Sequence, residues 1–125
     1  MSDLHELHTP LSEALRILSR WKIEHSNQLQ LLDLPDDIKP RKLTQMRNGD
    51  RHPQENHSML DRIKHIFAID STLQHMFPFN SGMADYWITT PNIQLQESSP
   101  LEYMLAHGYE GMQTVSDQLS GVDNW

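Results

Sequence analysis

Every apolar pattern in this 125-residue sequence repeats at helical spacing, and no segment shows the sustained alternation that a strand requires. Such a chain buries its apolar stripes by packing helix against helix, which predicts an all-α fold. The length favours one domain or two very small ones. Residues 50–57 are polar and aperiodic, so we expect a loop there, between a domain of residues 1–57 and a second domain of residues 58–125.

The first of these segments has the proportions of a helix-turn-helix domain. Thr9 is expected to cap a first helix that starts at Pro10. Ser26 is expected to cap a short second helix running to residue 32, followed by a tight turn at residues 33–36. A third helix over residues 40–46 then takes the place of a recognition helix.

The charged residues are distributed unevenly along the chain. The net charge is −7, yet all ten Lys and Arg residues lie between Arg16 and Lys64. Residues 65–125 contain seven acidic residues and no basic one, whereas residues 1–64 are neutral. Such a C-terminal half repels nucleic acid and attracts basic protein surfaces, although a merely acidic, soluble surface accounts for the same composition.

The most basic stretch coincides with the predicted recognition helix, because residues 39–51 contain five basic groups against one acid. DNA recognition needs this mixture, since cations contact phosphates while amide and guanidinium groups reach base edges. An ordinary three-helix core with a solvated basic face is the alternative. The predicted DNA-binding residues are Lys39, Arg41, Lys42, Thr44, Gln45, Arg47, Asn48 and Arg51.

The C-terminal half contains a series of helix and turn signals. A long connecting helix over residues 60–77 precedes a short one at residues 84–88, in which Trp87 is expected to pack into the core. The segment from Ser99 to Glu102 is a capping box that opens another helix. Gly108 closes that helix, and a last helix follows until residues 120–121 end it.

These signals resemble the toxin-binding domain of the Xre/MbcA/ParS antitoxins. The residues that agree with the family pattern are Trp87, Pro91, Asn92, Leu95, Pro100, Leu101, Glu102, Gly108, Gly111, Val115 and Leu119. The connecting helix and the helix-turn-helix extend the resemblance, more weakly, over most of the chain. Two features depart from the family: Glu97 replaces a glycine, and residues 118–125 lack the family's basic ending.

The resemblance implies an antitoxin of a type II toxin–antitoxin system. Such proteins dimerise and repress their own operon through the N-terminal domain, and they cover a RES-domain, NAD-consuming toxin with the C-terminal domain. The expected partners are therefore that toxin, the promoter DNA of the operon and a second copy of the chain. The predicted toxin-binding residues are Asn92, Glu102, Tyr109, Gln113, Asp117, Gly121, Asp123 and Trp125.

Two alternatives remain open, namely a stand-alone helix-turn-helix transcriptional regulator without a toxin partner and an interaction module that no longer binds DNA. An enzyme is not expected, because the sequence has neither a Gly-rich phosphate loop nor a nucleophile elbow. No cofactor or metal is expected either, because there is no cysteine and the pairs His5/His8 and His52/His57 lack a third ligand. A cytoplasmic protein is expected, since no apolar run exceeds four residues and the N-terminus does not resemble a signal peptide.

Overall fold

The computed structural model of the protein describes residues 9–51 and 56–123, with side chains described as far as residue 119. These residues form six α-helices and no strand, which confirms the all-α prediction. The helices are α1 (Pro10–Arg20), α2 (His25–Leu31), α3 (Pro40–Asn48), α4 (His57–Met76), α5 (Ser81–Trp87) and α6 (Pro100–Asp123), with a 3₁₀ turn at Ile93–Leu95.

The chain forms two compact units, Met1–Ile63 and Lys64–Trp125, which we call the first and second unit. The boundary between the two units lies within α4, and this helix supplies buried residues to both units. The assignment of residues 1–57 and 58–125 as functional domains stays a prediction.

Helix α1 begins as its sequence predicts and carries much of the core of the first unit. The Thr9 hydroxyl accepts a hydrogen bond from the Ser12 amide at 3.2 Å, and Pro10 occupies a position where no amide donor is needed. The inner face of α1 packs against α3. The buried apolar residues of α1 and its C-cap are Leu11, Ala14, Leu15, Leu18 and Trp21.

Two expectations for the first unit are wrong. Helix α2 begins at His25 after Glu24, so Ser26 lies inside the helix and is not its cap. The connection from α2 to α3 spans residues 32–39 and is longer than a tight helix-turn-helix turn. This connection makes a second turn at residues 36–37, and the ring nitrogen Nε2 of His25 donates to the Ile38 carbonyl at 2.7 Å.

Helices α1 and α2 both end in a left-handed residue that is not glycine. Lys22 has φ 62° and Asp33 has φ 55°. In α1 the Ile23 amide donates to the Leu18 carbonyl at 3.1 Å, which is the long hydrogen bond of a Schellman motif. Residues with a Cβ adopt this backbone conformation at an energetic cost, which glycine avoids.

Lys22→Gly is therefore expected to raise the free energy of unfolding by about 0.5 to 1 kcal/mol, because it removes the Cβ strain at an exposed position. Urea unfolding followed by circular dichroism measures the change. Lys22→Ala is the matched control, since it removes the same charge but keeps the Cβ. Equal stability of the two variants would show that the charge, and not the backbone conformation, determines the effect.

The second unit is built around the inner faces of α4 and α6. Its core contains Ile66, Ile69, Leu73, Ala84, Ile88, Leu95, Met104, Met112, Val115 and Leu119. Helix α5 begins at Ser81, three residues before the predicted start, because the Asn80 side chain accepts from the Met83 amide at 3.0 Å. Trp87, which was expected in the core, is only half-buried.

Helix α6 consists of two helical segments that meet at Gly108. The backbone of Gly108 has φ 61° and ψ −136°, so the first segment ends there, as predicted. The second segment continues to Asp123, and the expected break at residues 120–121 is therefore wrong. A Cβ on Gly111 would lie 2.7 Å from the Tyr103 carbonyl oxygen, so the two segments approach each other closely at this glycine.

Candidate functional site

Helix α3 presents a basic surface because its apolar residues all point the other way. Leu43 and Met46 are buried, and α3 packs through this face against α1. Gln45 is half-buried at the edge of the helix. The exposed polar side chains of α3 and its flanks are Lys39, Arg41, Lys42, Thr44, Asn48, Asp50 and Arg51.

Five of the predicted DNA-binding residues line one shallow surface pocket of about 440 Å³. They are Lys39, Arg41, Lys42, Gln45 and Arg51. The Arg51 Nε donates to the Gln45 side-chain oxygen at 3.1 Å, which holds the arginine over the helix. Within residues 9–51 and 56–119, no carboxylate forms an ion pair with these cations. The pocket is therefore a concentration of positive charge that fits a phosphate group. We call these five residues the α3 basic surface.

Arg47 is arranged differently from the other predicted cations. It is half-buried, and its guanidinium lies 3.5 Å from the Gln28 side-chain oxygen. Burial lowers the pKa of Arg47, since desolvation disfavours its charged form. Its Nε is buried and has no hydrogen-bond partner among the described residues. Arg47 therefore connects α3 to α2 and contributes less to the exposed surface than its sequence position suggested.

Thr44 also uses its polar group within the fold. Its hydroxyl donates to the Pro40 carbonyl at 3.0 Å, one helical turn earlier. The structure thus brings together five of the eight predicted DNA-binding residues in the α3 basic surface. It leaves Asn48 exposed near the end of α3, and it places Thr44 and Arg47 in hydrogen bonds inside the first unit.

Two residues that the sequence patterns did not indicate, Gln28 and His25, connect α2 to the segments on either side of it. The buried Gln28 donates to the Ile23 carbonyl at 2.8 Å, so it ties α2 to the segment before it. His25 donates a hydrogen bond to the carbonyl of Ile38, the residue directly before Lys39 of the α3 basic surface. The only available signal was a glutamine beside the apolar positions of α2, and periodicity alone does not distinguish a buried glutamine from an exposed one.

Two of the predicted toxin-binding residues have roles inside the second unit. The Asn92 side chain accepts from the Gln94 amide at 2.9 Å and caps the 3₁₀ turn. Glu102 accepts from the Ser99 amide at 3.0 Å, while the Ser99 hydroxyl accepts from the Glu102 amide at 3.1 Å. The contacts between Ser99 and Glu102 confirm the predicted capping box.

The capping box makes one part of the stability depend on pH. Hydrogen bonds from the Ser99 amide and then the Ser99 hydroxyl lower the pKa of Glu102. A lowered folded-state pKa contributes stability that is complete above the unfolded-state pKa and is lost as the pH falls through the folded-state pKa. Glu102→Gln keeps a capping-box side chain without this charge. We expect its melting temperature to fall less than that of the wild type between pH 5 and about pH 3, and parallel pH profiles would contradict this role.

The other predicted toxin-binding residues follow the second segment of α6. Tyr109, Gln113 and Asp117 are spaced four residues apart and share one helix face. Gln113 and Asp117 are exposed, and Tyr109 packs edge-on against the His65 ring with the ring centroids 5.1 Å apart. Gly121 and Asp123 belong to the described helix by their backbone only, and Trp125 lies outside the described residues.

Large apolar side chains on and beside α5 are exposed. The sequence patterns did not indicate this exposure. Phe79 is 100% exposed, Tyr86 is 64% exposed and Met83 is 47% exposed. Helix α5 buries only Ala84 within its own bounds. We call Phe79, Met83 and Tyr86 the α5 apolar surface.

The described residues contain neither a candidate metal centre nor a helix that could cross a membrane. Among residues 9–51 and 56–119, no three or more His, Asp or Glu side chains are grouped so that they could bind a metal ion. His5, His8 and His52 lie outside the described residues. None of the described helices combines the length and the apolar character that a membrane crossing needs.

Comparison with known proteins gives no relative from which a function could be transferred. No protein-family model, no curated protein and no solved structure matches this chain. The geometry and charge of the two units are therefore the basis for inferring a function.

Proposed function

We propose that this protein is an antitoxin that represses its own operon through the α3 basic surface and neutralises a RES-domain, NAD-consuming toxin through its second unit. The observation that supports this most is the separation of charge between the units. Cations without described ion-pair partners line one pocket of the first unit, whereas residues 65–125 contain no Lys or Arg.

The α3 basic surface supports DNA binding in the first unit. Its lysines and arginines supply phosphate contacts, and the Gln45 and Asn48 amides supply groups that read base edges. The contacts of Gln28 with Arg47 and of His25 with Ile38 connect α3 and the residue before its basic surface to α2, so the helix is positioned before DNA arrives. The connection between α2 and α3 is longer than a tight turn, but the order of the three helices is that of a helix-turn-helix protein. Because such proteins usually read two half-sites, the proposal includes a homodimer on promoter DNA.

The acidic second unit supports a protein partner. Its carboxylates repel the phosphate backbone and favour encounter with a positively charged protein. The motif from Trp87 to Leu119 resembles the toxin-binding domain, and the structure gives several of its residues clear roles in the fold. The same motif is compatible with a stand-alone regulator, which would use the second unit for other contacts.

The test is binding to the DNA directly upstream of the protein's own gene. Fluorescence anisotropy is expected to give tighter binding to this fragment than to a shuffled sequence, with affinity that falls steeply as salt rises. A reporter gene behind the same fragment is expected to be repressed by the protein. Equal affinity for both sequences together with an unrepressed reporter would refute autorepression.

A further inference from the structure

The α5 apolar surface is not required by the fold that supports it. Helix α5 contributes the small Ala84 to the core, and Ile88 follows one turn later. Met83 and Tyr86, which are much larger than Ala84, remain exposed on a helix of only seven residues. Single exposed apolar residues are common, whereas three large ones within residues 79–86 are a concentration that is typical of interaction surfaces.

The surface is also held in place before any partner binds. At the start of α5, the Asn80 side chain accepts from the Met83 amide at 3.0 Å. At its end, the Thr89 and Thr90 hydroxyls donate to the Tyr86 carbonyl at 3.2 and 3.0 Å. A short helix fixed at both ends loses little conformational entropy on binding, so its aromatic side chains are suited to anchor an interface.

The net charge of residues 65–125, which include this surface, narrows the class of partner. Residues 65–125 contain seven acidic residues and no Lys or Arg, so a matching surface is apolar at its centre and positively charged at its rim. DNA is not a suitable partner for this surface, because its phosphates would be repelled by the carboxylates of residues 65–125. A second copy of this unit does not fit either, because the carboxylates of the two copies would repel each other.

We infer that the α5 apolar surface, with Phe79 and Tyr86 as its aromatic anchors, is the docking site for a basic protein partner. This inference rests on the proposed function in taking the second unit as the partner-binding unit. It goes further by placing the main contact on α5, and not on the α6 face that bears Tyr109, Gln113 and Asp117. On that face Tyr109 is only 38% exposed and packs against the His65 ring. Tyrosine, phenylalanine and methionine are enriched at the centres of protein interfaces, whereas glutamine and aspartate are not.

The test uses photo-cross-linking from four positions of the full chain. Benzoylphenylalanine replaces Phe79 or Tyr86 in the α5 apolar surface, and Gln113 or Asp117 on α6 as matched exposed positions. The protein is expressed from its own promoter in its native host, irradiated, and its adducts are identified by mass spectrometry. We expect Phe79 and Tyr86 to cross-link to one protein with net positive charge.

The identified protein is then purified and its affinity for the chain is measured. Phe79→Ser and Tyr86→Ser are each expected to raise Kd by about 30-fold, the loss typical of an interface hot spot, while the exposed control variants Gln94→Ala and Glu110→Ala change it less than about threefold. Because all four side chains are on the surface, urea unfolding is expected to be unchanged in the variants.

The possible negative results distinguish a wrong docking site from a wrong proposed function. Cross-links from Gln113 and Asp117 alone would overturn the α5 docking site while leaving a partner-binding second unit intact. Cross-links from the α5 positions to a second copy of the chain would overturn the basic partner. If none of the four positions forms an adduct, both the docking site and the proposed toxin binding are contradicted.

Discussion

Replacing Arg41, Lys42 and Arg51 by alanine together is expected to weaken DNA binding by on the order of 500-fold at 0.1 M salt, if each residue contacts one phosphate. The estimate follows because each lost phosphate contact reduces the salt slope by about 0.9 and the affinity at this salt by about eightfold. All three side chains are exposed and line the same pocket, so the fold does not depend on them. Anisotropy titrations at several salt concentrations measure both quantities.

Two control variants distinguish the loss of phosphate contacts from a general loss of positive charge and from a change in the fold. Lys64→Ala removes one exposed cation from the second unit and is expected to change the salt slope little. Arg47→Met keeps the aliphatic stem of a half-buried residue and removes a guanidinium that lies against Gln28, so its slope should also change less than that of the triple variant. A triple variant with the salt slope of the wild type would mean that α3 does not contact DNA.

Gly111→Ala is expected to lower the free energy of unfolding by about 2 to 3 kcal/mol. The added Cβ would lie 2.7 Å from the Tyr103 carbonyl oxygen and 3.1 Å from the Met104 Cα, and backbone atoms cannot rotate away as a side chain can. The two segments of α6 must therefore separate. Urea unfolding and the protection of α6 amides from hydrogen exchange measure the loss.

Two other glycines of the second unit make this comparison specific. Gly108→Ala meets no atom within 4 Å, but it places a Cβ at φ 61° and ψ −136°, so it is expected to cost about 2 kcal/mol through backbone strain alone. Gly82→Ala meets only the Asn80 side-chain oxygen at 3.6 Å within a helix, and it should be neutral or slightly stabilising. Three equal effects would contradict the close approach at Gly111.

The parts of the fold that were predictable depend on local chemistry. Thr9 and the Ser99–Glu102 pair cap helices through contacts within three residues, and the sequence displays both partners. Gly108 ends a helical segment for an equally local reason, since its backbone conformation excludes other residues. Such local sequence signals are informative because they do not depend on how the rest of the chain packs.

The parts that were not predictable depend on tertiary packing. Arg47 has the same sequence context as its basic neighbours, yet contact with Gln28 on another helix makes it half-buried. Trp87 and Tyr86 are adjacent aromatic residues, and only the packed second unit determines how much of each is exposed. The long connection between α2 and α3 depends on His25 reaching Ile38, a contact that no short motif indicates.

The proposed toxin neutralisation is tested most directly by measuring NAD in cells that express the protein encoded by the reading frame next to this chain's gene, which the proposal expects to be a RES-domain toxin. Expressed alone, that toxin is expected to deplete NAD and stop growth. Co-expression with this chain should restore both, and the Arg41, Lys42 and Arg51 triple variant should restore them equally well, because the proposal assigns the α3 basic surface to DNA and not to the toxin. NAD that stays depleted in the presence of the wild-type chain would contradict the antitoxin assignment.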